Sequence, residues 1–501
     1  MIYNMLKLKL RLVWFVVFLW GISFFSFAQI TLTIEQALDI AEENNPQMKN
    51  AKLNLERTQF TLEAQRASLK PQFSLNINPF SYSQTRSFDT RYSEWYTNKS
   101  LASNGTFRAE LPLIWTDGTL SLTNRFGWQD SESMGQAGIN ANKAFTNNLN
   151  LRFDQPIFTY NRQKMELQRL EYDHENSGIS YALQRLTTER NITRQFYQVY
   201  LAQNNLEISI EEYENSKSNY DIISAQVEAD LAAREELFQA EVNLASAESS
   251  VESNDVSLKN AKDALKQTLG ISLREEINVL ADIVVIPVFF DEEKAIQSGL
   301  TSRMELRQRE INMELADLNM ITTKALNEFR GDISLSLGFT GDNPQFANIY
   351  ETPTQSPSIM VSFSIPIFDW GQRKARIQAQ KTAQTIAQLD YENQKVDIEL
   401  GIRQSLRSLA NLSTQISIRE KNIRNAQLTY DLNQIRYREG DLTGLQMSQY
   451  QTQLSNARTN LVEAQINYKN ELLNLKILTL YDFENNQPIV PVRELQNITM
   501  N

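Results

Sequence analysis

The chain has 501 residues, no cysteine and a formal net charge of −11. The acidic balance argues against the basic face that a nucleic-acid binder presents. The lack of cysteine excludes disulfides, thiol catalysis, cysteine-ligated metals and a lipidated N-terminal cysteine.

Lys7, Lys9 and Arg11 precede an apolar run from Leu12 to Phe27, and Ser26 and Ala28 supply small residues at −3 and −1 of a cut before Gln29. This is the pattern of a secretory signal peptide over 1–28. A retained N-terminal anchor is the other reading, although the run is short for the ~20 residues of a span. Cleavage leaves 473 residues (501 − 28) and shifts the charge to −14, because three positive charges leave. No later stretch of about 18 apolar residues exists, so a closed β-barrel is the spanning solution left to this chain.

Thr33 and Gln36 have capping-box spacing ahead of a short amphipathic helix. Asn44-Asn45-Pro46 breaks it, and Pro46 opens a second helix to about Leu69, ended by Pro71. From about 72 to 158 the period becomes two. Leu75 and Ile77, then Phe107, Ala109, Leu111 and Leu113, then Leu120, Leu122 and Phe126, then Leu149, Leu151 and Phe153 alternate with polar residues. Asp117-Gly118 reads as a tight turn, and an extra hairpin is expected between about Thr106 and Trp128. Trp95, Tyr96, Trp115 and Trp128 are expected near strand ends, as an aromatic girdle. A soluble β-domain with one wet face fits the same alternation.

From about 161 to 229 there is no proline and only Gly178, giving roughly 69 helical residues, or on the order of 100 Å. Asp230-Leu231-Ala232-Ala233 interrupts. A helix over about 234–269 follows, with Leu237, Ala240, Leu244, Ala247, Val251, Leu258, Ala261 and Leu265 as its heptad seam and Gly270 as its end. Residues 271–300 form a connector, with a strand-like run from Val284 to Phe290.

The pattern then recurs. Pro156-Ile157-Phe158 returns as Pro366-Ile367-Phe368, an offset of 210 residues (366 − 156), and Leu237, Gln239, Leu244 and Ala247 fall on Met447, Gln449, Leu454 and Ala457. Repetition at this scale means one structural unit used twice. Repeat one covers 29–270. Repeat two covers 291–482, with a short helix from about Asp291, a helix from Arg303 to near Arg330, strands about 332–366, a long helix about 372–437 and a last helix about 444–478. A polar tail over 483–501 is expected to be loosely held. The fold class is mainly α, with long antiparallel coiled-coil helices and transmembrane β-strands. In each repeat two shorter helices sum to nearly the length of the long one, so they can lie end to end along it.

These motifs, with Ile34-Glu35-Gln36-Ala37-Leu38, Arg303-Met304-Glu305-Leu306 and Tyr437-Arg438-Glu439-Gly440, resemble the outer-membrane efflux protein family, the TolC-like channels. The resemblance covers nearly the whole mature chain. It implies a homotrimer in the outer membrane, with strands from each copy closing one barrel and helices forming a long periplasmic tunnel. It further implies an exit duct for an inner-membrane pump and its periplasmic adaptor, in efflux or type I secretion, without chemistry or cofactor of its own. The tunnel tip maps onto Asp230, Glu235, Glu236 and Gln239 in repeat one and Tyr437, Glu439, Asp441, Gln446 and Gln449 in repeat two. Gln446 and Gln449 are amides where some members carry carboxylates. Pro156, Phe158, Pro366, Phe368 and Gly371 mark the strand-to-helix junctions.

The competing readings are a periplasmic coiled-coil adaptor or scaffold without a channel, and an enzyme. His174, between Asp173 and Glu175, reads as a surface residue, with no Ser/His/Asp arrangement or phosphate loop beside it. Asp441 reads either as a pore residue or as a cap for a helix beginning at Leu442. The 11 methionines do not cluster into a soft-metal relay.

Overall fold

The computed structural model describes residues 30–489 except 91, 92, 136, 137, 282, 287, 352 and 440. The expected signal peptide, Pro287, Gly440 and tail residues 490–501 lie outside the described residues.

The first half contains β1 (Ile30–Leu32), α1 (Ile34–Asn44), α2 (Pro46–Ser68), β2 (Gln72–Asp89), β3 (Glu94–Leu113), β4 (Gly118–Gly135), β5 (Gly138–Ile157), α3 (Arg162–Glu228) and α4 (Arg234–Leu269). After β6 (Ile277–Val279) come α5 (Glu292–Ser302), α6 (Met304–Ala325), β7 (Arg330–Asn343), β8 (Thr354–Ser364), α7 (Gln372–Arg438), α8 (Gly444–Thr479), β9 (Tyr481–Asp482) and β10 (Gln487–Pro488). The helices run 11, 23, 67 and 36 residues in the first half and 11, 22, 67 and 36 in the second. No described helix is long and apolar enough to cross a membrane.

The described chain forms two compact units. The first contains residues 30–50, 183–302 and 399–489. Its largest core gathers Leu32, Ala37, Ala41, Ile192, Phe196, Val199, Leu258, Leu265, Leu269 and Ile277. The Thr33–Gln36 capping box forms in full and starts α1. The α4 seam turns inward at Ala240, Leu258 and Leu265, and that of α8 at Leu454, Ala464 and Tyr468. Gly270 ends α4 at φ +76°, the left-handed cap that glycine adopts without strain. β1 pairs in parallel with β6 at Ile277–Val279. The expected strand over Val284–Phe290 does not form among its described residues. Tyr481–Asp482 pairs with Gln487–Pro488, so the described start of the tail is held.

The second unit contains residues 51–182 and 303–398. Its centre is one antiparallel sheet in the order β2-β3-β4-β5-β7-β8. Three cross-strand rows are polar from edge to edge, apart from one glycine: Gln72-Glu110-Ser121-Arg152-Ser336-Ser358, Ser74-Arg108-Thr123-Asn150-Gly338-Ser356 and Asn76-Thr106-Arg125-Asn148-Thr340-Thr354. The row between the first two is wholly apolar: Phe73-Ala109-Leu122-Leu151-Leu337-Pro357. Side chains alternate between the faces of a strand, so one face is polar and the other predominantly apolar across this band. The hairpin expected near 106–128 is β3–β4, and it lies inside this sheet. Trp128 sits in mid-strand opposite Ser103 and Phe145, rather than at a strand end. α6 ends at Ala325, because Arg330 and Gly331 already belong to β7.

Candidate functional site

In the second unit the strands turn into long helices at two junctions. Both are built from left-handed backbone and a carboxylate that caps the helix. At the second junction β8 is followed by Pro366, the exposed Phe368 and the left-handed pair Trp370 (φ +56°) and Gly371 (φ +82°). Asp369 caps α7 from within this loop, accepting from the amides of Gly371 at 3.0 Å and Arg373 at 2.9 Å.

At the first junction, Pro156 and Ile157 end β5, and Phe158 turns at φ +62°. The residue 210 before Asp369 is Thr159, which cannot supply a carboxylate. The carboxylate comes instead from Asp117, in the β3–β4 turn. Asp117 Oδ1 accepts from the amide of Gln163 at 3.1 Å, and Oδ2 accepts from Arg162 Nε at 2.8 Å. Asn161 Oδ1 accepts from the amide of Lys164 at 2.8 Å, while Asn161 Nδ2 donates to the carbonyl of Ile114. Gln155 Nε2 donates to the carbonyl of Thr116 at 2.7 Å. Asp117 is buried, and its partners hold the hairpin turn against the start of α3. Trp115, Phe158, Phe368 and Trp370 stay exposed at these turns.

In the first unit, the α3–α4 and α7–α8 turns carry the other candidate residues. Asp230 occupies a left-handed position (φ +55°) just past α3, and the amide of Leu231 closes back on the carbonyl of Gln226 at 2.7 Å. This six-residue closure is a Schellman turn, in which glycine is the usual left-handed residue. The amide of Asp441 closes on the carbonyl of Arg436 at 2.9 Å, which ends α7 in the same way.

The reading of Asp441 as a helix cap is corrected by the structure. Thr443 is the N-cap of α8, accepting from the amide of Gln446 at 3.3 Å while Gln446 Oε1 accepts from the amide of Thr443 at 3.1 Å. Gln446 is therefore engaged in a capping box. Tyr437 donates its hydroxyl to Asn219 Oδ1 and so ties α7 to α3. Burial, with Glu236 nearby, raises the Tyr437 pKa and keeps the phenol protonated. Gly444 packs close to the same Asn219, whose Nδ2 lies 3.2 Å from where a Cβ would stand.

Asp230, Glu235, Glu236, Glu439 and Asp441 are all exposed, as are Gln239 and Gln449. None of these five acids forms an ion pair among the described residues. Gln239 bonds along its own helix to Asn243 at 3.0 Å. Glu235 and Glu236 occupy the first turn of α4, where the helix dipole favours negative charge.

His174 is buried in the second unit, contrary to the surface reading, because α2 packs over it. Its Nδ1 lies 3.4 Å from Thr58 Oγ1, and burial, assisted by Arg66, lowers its pKa. Among the described residues no group of three or more His, Asp or Glu side chains is placed to hold a metal.

Sequence reasoning missed Asn219 and Thr443, and it read Asp117 only as a turn residue. Thr443 carried the same Thr-x-x-Gln spacing as Thr33. Asn219 and Asp117 act on partners 218 and 45 residues away in sequence, and no local pattern marks these contacts.

Residues 295–479 match the family model described as outer membrane efflux protein. The cation efflux system protein CusC of Escherichia coli K12 is 20% identical over 346 residues, covering 67% of this chain and 72% of CusC. The fold superposes on the Campylobacter jejuni CmeC outer membrane channel with a TM-score of 0.69 at 15% identity, over 93% of this chain and 89% of that one. The open state of the Neisseria gonorrhoeae MtrE outer membrane channel gives 0.66 at 16%, over 90% and 89%. Residues 295–479 thus resemble the outer membrane efflux protein family, and the chain, with its paired junctions and 67-residue helices, has the fold of these channels.

Proposed function

We propose that this protein is the outer-membrane exit duct of a tripartite efflux or type I secretion assembly. Three copies share one β-barrel, and their helices form a periplasmic tunnel. Cargo delivered by an inner-membrane pump and its periplasmic adaptor passes through passively. The two halves act as repeats of one unit, each contributing strands to the barrel wall and a long helix with its shorter partners to the tunnel wall.

The observation that carries this reading is the two-faced sheet leading directly into helices of 67 residues. A polar face beside an apolar one is what a water-filled barrel in lipid requires. The exposed Trp115, Phe158, Phe368 and Trp370 match the interfacial aromatics of such a barrel. The turns bearing Asp230, Glu235, Glu236, Gln239, Tyr437, Glu439, Asp441, Gln446 and Gln449 form the closing tip. The Tyr437–Asn219 bond restrains that tip, and its exposed carboxylates face entering cargo or the adaptor.

The test is the mass of the mature protein extracted from membranes in mild detergent, by light scattering with the detergent contribution subtracted. A trimer is expected. A monomer recovered without detergent would overturn the duct in favour of a coiled-coil scaffold.

A further inference from the structure

We infer that the β3–β4 hairpin is part of the barrel wall, so that three copies close an eighteen-stranded barrel through a joint between β8 of one copy and β2 of the next. The strand count rests on the trimeric duct proposed above.

The register of the hairpin matches that of the rest of the sheet. If the hairpin were a cover or plug set against a four-stranded wall, its two faces would be free of the wall's alternation. They follow it without a slip from Leu113 to Thr97 on β3 and from Gly118 to Met134 on β4. Glu110 and Ser121, Arg108 and Thr123, and Thr106 and Arg125 fill the polar rows, while Ala109 and Leu122 fill the apolar row between them. A shift of one residue would reverse every side chain.

The turn of the hairpin is anchored to the start of α3. Asp117 supplies α3 with the carboxylate that Asp369 supplies to α7 from within its own loop. The position 210 residues before Asp369 is a threonine, so the first junction draws its acidic cap from the hairpin. A hairpin with its turn fixed in this way starts at the same level as the junction and runs up the wall beside β5.

The sheet ends in two open edges. Among the described residues, β2 pairs only with β3 and β8 only with β7. In lipid each unpaired backbone group costs several kcal/mol, and only closure removes an edge. Six strands alternate in direction, so β8 meets the β2 of a neighbouring copy in antiparallel fashion, like every other pair in the sheet. The polar rows end on Ser356 and Ser358 at one edge and begin on Gln72 and Ser74 at the other, so the joint continues both faces.

Eighteen strands about 4.8 Å apart and tilted about 40° give a backbone radius of about 18 Å, against about 12 Å for the twelve that would remain with the hairpin outside. Barrels of 16–18 strands leave an aqueous channel, so the exit pore is wide.

The chain has no native cysteine, so disulfide pairing can report wall order in the full-length protein in membranes. Thr123→Cys with Asn150→Cys places thiols on direct partners of β4 and β5 on the polar face. Ser74→Cys with Asn150→Cys brings thiols together only if the hairpin leaves the wall and β2 meets β5. Ser74→Cys or Asn76→Cys, each combined with Thr354→Cys, Ser356→Cys or Ser358→Cys, scans the joint between copies. The expected result is near-complete bonding in the first pair, none in the second, and covalent dimers and trimers on denaturing gels for one member of the scan. Bonding of Ser74→Cys to Asn150→Cys without the first pair would overturn the inference. So would a trimeric mass with the first pair bonded but no covalent ladder from any member of the scan. A non-trimeric mass would overturn instead the duct reading on which the number eighteen rests.

Discussion

The side-chain amide of Asn45 donates to the carbonyl of Thr268 at 2.6 Å. Its oxygen meanwhile accepts from the amides of Gln47 at 2.8 Å and Met48 at 2.9 Å. One buried residue thus caps the start of α2 and satisfies a carbonyl in the last turn of α4. Two helices that are far apart in sequence are joined end to end. Pro46, whose missing N–H would be unsatisfied at that position anyway, completes the joint.

Asn45→Ala removes the cap, worth about 1 kcal/mol, and leaves a carbonyl unpaired at about 1–3 kcal/mol. The thermal unfolding midpoint of the detergent-extracted protein, followed by circular dichroism, should fall measurably. Asn45→Asp keeps the cap but not the donor and should fall by less. Gly270→Ala should be worse than either, because a Cβ there would lie 2.7 Å from the carbonyl carbon of Asn44 at a left-handed φ of +76°.

Asp117→Ala should loosen the hairpin turn from α3. Two hydrogen bonds are lost from a buried carboxylate, at a cost of about 3 kcal/mol. Asp117→Asn keeps one acceptor and tolerates the left-handed φ of +61°, so its cost is smaller. Trypsin cleavage after Arg162 is the readout. The alanine variant should be cut faster than the asparagine variant, and the native chain slowest.

Tyr437→Phe deletes the bond to Asn219 without changing the packing. A neutral hydrogen bond contributes about 1 kcal/mol, so in the duct proposed above the closed tip should lose ~5-fold in its population relative to the open one. Conductance of the protein in planar bilayers should rise, and Asn219→Ala should reproduce the rise. No change in either variant would remove this bond from the gate.

Asp482 supplies the pH dependence. Burial alone would raise its pKa, but the Lys476 ion pair at 2.9 Å and the bonds from Asn485 outweigh burial and hold it at about 2. The folded value lies below the unfolded one of about 3.9. The stabilisation, about 2 kcal/mol, is therefore complete above about pH 5 and lost as the pH falls through the folded value. Asp482→Asn should lower the unfolding midpoint by a constant amount between pH 5 and 8. The difference from the native chain should close towards pH 2.

The elements that could be read from the residues are those whose signals are local. Thr33 and Gln36 start α1 as their spacing predicts, and the 210-residue offset anticipates helices of equal length in the two halves. The Asp117-Gly118 turn and the alternation around it predict the hairpin. What could not be read depends on distance. Val284–Phe290 has the composition of a strand, but Ile277–Val279 is the segment that finds a partner, at Ile30–Leu32. His174 looks solvated by its neighbours Asp173 and Glu175, yet α2 covers it. Thr443 stands to Gln446 as Thr33 stands to Gln36 and caps α8, whereas the tie from Tyr437 to α3 needs Asn219, which no local pattern links to it.

The pairing of β1 with β6 constrains the order of folding. Ile30 and Ile277 are partners across 247 positions of sequence (277 − 30). The first described strand therefore cannot dock until β2–β5, α3, α4 and the start of the connector have emerged from synthesis and export. Closing so large a loop is slow, although each doubling of its length adds only ~0.6 kcal/mol. Until then Leu32, Ala37 and Ala41 lack Ile277, and part of the core they share with it stays open. The core around the first described strand is thus completed only by residues just past α4, and a fragment ending before 277 lacks the edge on which Ile30–Leu32 pairs.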